Sequence, residues 1–192
     1  MDLRTALAIH EAGHAVIASR GGLPIRYVTL AARTKGSAAH VKMRDEETEH
    51  SIWDSMAFSA AGPIAHDIAS GCRDRVFVTE GGGHDFDELL IDARFTRAAI
   101  RCGARPERGL PQRATVRQIA VVAWADTFRR VVADYGAILA VADALLRSRR
   151  ALTGSVIRGL VEGAATVEPL PHAHLAETFW PPRFMPPGAW TR

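Results

Sequence analysis

The chain has 192 residues and a net charge of +3, with 47% hydrophobic and 23% charged residues. That length suits one well-packed domain, and that balance excludes a largely disordered chain. No run approaches the ~20 consecutive apolar residues that span a bilayer, and histidines interrupt the N-terminal stretch where a leader needs an apolar core, so the sequence implies a soluble, cytoplasmic protein without a membrane span.

Residues 3–19 are predicted helical, with Leu3, Leu7, His10, His14 and Ile17 on one stripe at steps of three and four and alanine as filler. GGLP (21–24) ends this helix, since glycine accepts a left-handed terminator and proline cannot continue the ladder. IRYVTL (25–30) and AAHVKM (38–43) read as two strands joined by a loop, and RDEETEH (44–50) as a charged surface loop. Ser51 and Asp54 have capping-box spacing for a helix to about Ser70, which Pro63 is expected to kink or split. Residues 72–83 form a connection ending in three glycines. A further helix follows, in which Phe86, Leu89, Leu90, Ala93, Arg94, Arg97 and Ala98 give an amphipathic pattern up to Cys102.

ARPERGLP (104–111) is a break. Two or three helices fill 113–163, with Gly136 and LTG (152–154) as punctuation. The segment 169–192 is a tail rich in proline and aromatic residues, expected to pack against the body because four large aromatic rings are costly to leave in water. Together these elements predict a mainly α fold with a small β-sheet or hairpin, an α+β class. Cys72 and Cys102 form no CxxC and exclude a disulfide framework or thiolate zinc site; both are expected as buried small apolar residues. Lys35 and Lys42 are the only lysines. The arginines at 101–117 and 147–150 alternate with apolar residues at helical spacing, which implies solvated helix faces and no nucleic-acid partner.

The chemistry lies in HEAGH (10–14). Residues four apart on a helix share a face, so His10 and His14 can present ring nitrogens to one cation at about 2.0–2.1 Å. Glu11 can then serve as a base towards water acidified by the metal, passing the proton to a leaving amine. The alternative is coincidence on a buried helix, where uncompensated polar groups cost roughly 1–3 kcal/mol each. A hydrolytic zinc site needs a third protein ligand. The extended HExxHxxGxxH form is absent, because Ile17 and Arg20 occupy its glycine and third-histidine positions. His40, His66, Asp67, His84, Asp85, Asp87 and Glu88 all remain candidates. Asp85 is favoured by its place in the first turn of a helix, where simple N-terminal capping is its other role.

Three segments, HEAGHAVIA (10–18), AAGPIAHDIASG (60–71) and VTEGGGHDFDELLIDAR (78–94), resemble in order and spacing the three peptidase signatures of FtsH-type ATP-dependent zinc metalloproteases. The resemblance is clear over 5–103 and looser over 130–163. It implies a zincin-like helical peptidase domain over 1–168, a Zn2+ cofactor held by His10, His14 and Asp85, and Glu11 as the catalytic base. His84 stands where that family commonly has asparagine and is the nearest rival ligand. AGPIAHD departs from the family's usual GGRAAEE at Pro63 and His66. The chain carries neither the family's membrane helices nor a GxxxxGK[ST] nucleotide loop.

The resemblance therefore implies a zinc-dependent endopeptidase that acts without ATP on unfolded or short polypeptides. It leaves a separate ATPase or adaptor, and a homo-oligomer, open as partners. The strand AAHVKM matches one that borders the family's cleft, where an extended peptide adds as a further strand. His40 on that strand faces either cleft or solvent, and Trp53 is expected in the core. The competing expectation is a catalytically inactive, metal-stabilised peptide-binding module.

Overall fold

The computed structural model describes residues 1–30, 39–43, 51–71 and 83–165. The charged loop 44–50, most of the glycine-rich connection 72–83 and the tail 169–192 lie outside the described residues. In chain order the elements are α1 (Leu3–Arg20), β1 (Ile25–Thr29), β2 (His40–Met43), α2 (Ile52–Ser70), α3 (Gly83–Arg101), α4 (Val116–Ala133), α5 (Tyr135–Arg147), β3 (Leu152–Thr153) and α6 (Gly154–Gly163). The described residues are thus mainly helical, with one small antiparallel sheet in the order β2-β1-β3. No helix among them is long and apolar enough to cross a membrane.

Helix α1 starts where Asp2 accepts a hydrogen bond from the Thr5 amide at 3.0 Å, and it ends before Gly22, whose φ of +71° is the left-handed geometry glycine tolerates. Only its first turn is amphipathic. Leu3 is 64% exposed, whereas every residue from Ala8 to Ala18 is buried. The expected one-sided stripe is therefore replaced by burial all round, because α2, α5, α6 and β1 all pack on α1. The alanine-rich surface makes this feasible. A Cβ at Gly13 would lie 2.7 Å from the Ala61 carbonyl oxygen and 2.8 Å from the Ala65 Cβ, so at that point α1 meets the backbone of α2 with only the Ala65 methyl beside it.

Pro63 does not split α2, which runs unbroken from Ile52 to Ser70. Its neighbours Ala60, Ala61, Ile64 and Ala65 are at most 1% exposed, so packing on both sides of the proline holds the helix despite the missing donor. Ser51 caps the helix, but the expected capping box does not form. Ser51 Oγ accepts from the Trp53 amide, but Asp54 turns instead to Arg130 of α4 at 3.1 Å. Trp53 is in the core, with the Arg108 guanidinium 4.8 Å above its ring.

The third strand was not anticipated. Leu152 and Thr153, expected as punctuation, pair with Val28 and Tyr27 of β1, and Gly154 follows because any Cβ there would collide with the Ile25 carbonyl. Cys102 is exposed, contrary to the expectation of a buried small residue, since it sits just past the last turn of α3; Cys72 lies outside the described residues. The α1–α2 contact yields a direct test. Gly13→Val should lower stability by roughly 1–3 kcal/mol through overpacking. A thermal melt equal to the parent protein's would show that the two helices are not held at this distance.

Candidate metal centre

On α1, His10 and His14 lie one turn apart on the side facing α2 and α3, and only 5% and 3% of their surfaces are exposed. Their rings meet edge to face with centroids 4.7 Å apart, and their Nε2 atoms are 3.1 Å apart. Helix α2 fixes the second ring. His14 Nδ1 donates to the Phe58 carbonyl at 2.7 Å, which leaves Nε2 as the ring nitrogen beside His10 and Asp85. One turn further along α2, Gly62 lies against the same ring, and a Cβ there would strike the imidazole.

The third group arrives on α3. Asp85 sits in its first turn, as expected from the sequence. The next residue anchors it: Phe86 stacks on Trp124 of α4 with centroids 5.5 Å apart and planes inclined by 13°, and Leu89 and Leu90 bury behind it. The Asp85 Oδ2 atom then lies 3.0 Å from His10 Nε2 and 3.4 Å from His14 Nε2.

Three candidate ligand atoms, one from each residue, thus form a triangle with edges of 3.0, 3.1 and 3.4 Å. A tetrahedral cation with ligand bonds of about 2.0–2.1 Å requires ligand-to-ligand edges of about 3.3 Å. The residues present fit such an ion, and His10, His14 and Asp85 form a mostly buried group that could hold a metal.

The field at the site is strong because water is scarce. Burial acts to lower the His14 pKa, but the facing Asp85 carboxylate outweighs it, with help from Glu11 and the Phe58 carbonyl, and lifts it to about 9. Burial acts to raise the Asp85 pKa, and the two imidazoles reverse that and hold the carboxyl well below the usual carboxylate range. For Glu11, burial dominates and pushes the carboxyl up, against the pull of His14 and His10. Glu11 is only 7% exposed, so it is a carboxylate kept inside beside two imidazoles.

The rival ligands fall elsewhere. The His84 side chain is 83% exposed and lies 3.8 Å from Glu88 on the outer face of α3, where Asp87 is also exposed. His66 and Asp67 are buried further along α2. His40 on β2 is half-buried, 3.4 Å from the Tyr27 hydroxyl, and near enough to Glu11 to influence its charge. Two site residues were not anticipated, Phe58 and Gly62. The Phe58 contribution is a backbone carbonyl and leaves no mark in sequence. Gly62 does leave one, because glycine inside a helix is disfavoured by about 1 kcal/mol relative to alanine and signals a close approach.

A scan against protein-family models finds no match to this chain, and a comparison with curated proteins finds none either.

Two outcomes follow from this geometry. Gly62→Ala should displace the His14 ring and weaken metal binding roughly 10- to 100-fold while leaving the far-ultraviolet circular dichroism unchanged; undiminished affinity would contradict the contact. In the metal-free protein, His14 contributes stability that is complete below pH 6.5 and fades as pH rises towards about 9, because its folded pKa is the higher one. Metal binding at neutral pH should therefore release about one proton. Calorimetry in two buffers of different ionisation enthalpy reads that number directly, and no release would contradict a protonated His14.

Proposed function

We propose that this chain is a zinc-dependent endopeptidase in which His10, His14 and Asp85 hold the ion and Glu11 is the general base. The observation that carries this reading is the convergence of two imidazole nitrogens and one carboxylate oxygen at tetrahedral edge lengths, with Glu11 buried one residue from the first ligand. The likeness of the three sequence segments to FtsH-type peptidases supports it.

A zinc ion in this group supplies Lewis acidity, which brings the pKa of water to about 7 and polarises a carbonyl. The chain's own residues do the rest. The Phe58 carbonyl holds the His14 ring in one tautomer, and Gly62 leaves room for it. Glu11, its pKa raised by burial, accepts a proton from the attacking water and returns it to the departing amine as the peptide bond breaks. Strand β2 lies at the edge of the described sheet, so an extended polypeptide can pair with it through main-chain hydrogen bonds, a mode that reads sequence weakly. Unfolded or short polypeptides are the substrates this favours.

Cleavage of a denatured protein by zinc-loaded protein tests the reading. Glu11→Gln should retain zinc and lose at least ~100-fold in rate, the span of one positioned general base. Asp85→Ala should lose the metal, and His84→Ala should retain both metal and activity. If the zinc-loaded parent and Glu11→Gln are equally inert, the chain is a metal-stabilised binding module; metal loss in His84→Ala alone would make His84 the third ligand.

A further inference from the structure

The far end of α3 borders a second cavity of about 400 Å3, whose wall includes Arg97, Ile100, Arg101, Gln112, Arg113 and Ala114. Arg97 and Arg101 lie roughly 18–24 Å beyond Asp85 along the helix axis at ~1.5 Å per residue, so this cavity is separate from the metal centre. The two arginines are one turn apart and share a helix face. Arg113 comes from the segment leading into α4. Gln112 ties that segment down by donating from Nε2 to the Ile100 carbonyl at 3.1 Å, and Ile100 and Ala114, each 4% exposed, form an apolar floor.

Three arginines thus line one concavity, and no carboxylate lines it among the described residues. Arg20 pairs with Asp134, Arg108 and Arg129 with Asp126, Arg130 with Asp54 and Asp126, and Arg147 with Asp143. Arg97, Arg101 and Arg113 make no ion pair among the described residues. Lack of an ion pair is common among the described arginines, since Arg26, Arg105, Arg117, Arg149 and Arg158 make none there either; what sets Arg97, Arg101 and Arg113 apart is that they line one concavity. The dipole of α3 favours a cation only in its last turn, which accounts for Arg101 but for neither Arg97 nor Arg113. Like charges gathered at one site repel one another unless an anion joins them.

We propose that this cavity binds a small polyanion bearing two or more adjacent phosphate groups. Guanidinium forks match phosphate oxygens two at a time, and three forks around one cavity suit several phosphates rather than a single carboxylate.

Calorimetric titration of the full chain with inorganic pyrophosphate, and separately with adenosine diphosphate, tests this at low ionic strength. Both should bind one to one and weaken as salt is added. Arg97→Ala, Arg101→Ala and Arg113→Ala should each reduce affinity roughly tenfold, while Arg147→Ala, which removes the same charge elsewhere, should not. Far-ultraviolet circular dichroism should be unchanged in all four variants, which reports that they are folded. Absence of pyrophosphate binding to the parent protein, or equal losses in Arg147→Ala and the cavity variants, would overturn the proposal.

Discussion

The site depends on how closely α1 and α2 approach. Gly13 admits the Ala61 carbonyl on one side of the crossing, and Gly62 admits the His14 ring on the other. The same proximity brings the Phe58 carbonyl within 2.7 Å of His14 Nδ1, so the packing contact and the orientation of a ligand are one feature. Larger residues at either glycine would separate the helices and turn the imidazole away from its partners. The alanine content of both helices is thus a requirement of the site as well as a helix-forming preference.

Within that frame, the polar group is costly unless something joins it. Two imidazoles and a carboxylate in an interior with little water interact strongly, and the metal-free arrangement resolves this by protonating His14 against Asp85. A divalent cation would resolve it with less conflict, because the three atoms stand 3.0–3.4 Å apart, near the edge length of a tetrahedral shell. Helix α3 delivers Asp85 to this point through the stacking of Phe86 on Trp124. Its opposite end presents Arg97 and Arg101 to the second cavity, so one helix carries an acidic group to one site and basic groups to another.

Much of this was legible in the sequence because the signals are local. Capping and helix-ending residues set α1 to within a residue, and the i, i+4 histidines of HEAGH announced a shared face. The first-turn position of Asp85 could be read from its place after the glycines, although residues such as His66 and His84 carried equal chemical credentials until the fold separated them. Non-local effects stayed hidden. The burial of α1 on all sides, the unbroken passage of α2 through Pro63 and the pairing of Leu152 and Thr153 with β1 each come from tertiary neighbours. The reading of the arginines as a solvated face agrees with the exposure of Arg101, Arg105, Arg113 and Arg117, although spacing along a helix says nothing of which loop residue, such as Arg113, comes to lie beside it.

The coordination shell itself gives the most direct test of the account. X-ray absorption at the zinc edge, on protein loaded with one equivalent of the ion, should show a four-coordinate shell of nitrogen and oxygen at about 2.0–2.1 Å with the outer-shell scattering of two imidazoles. A shell of six oxygens without imidazole scattering, or failure to retain one equivalent of zinc, would contradict it.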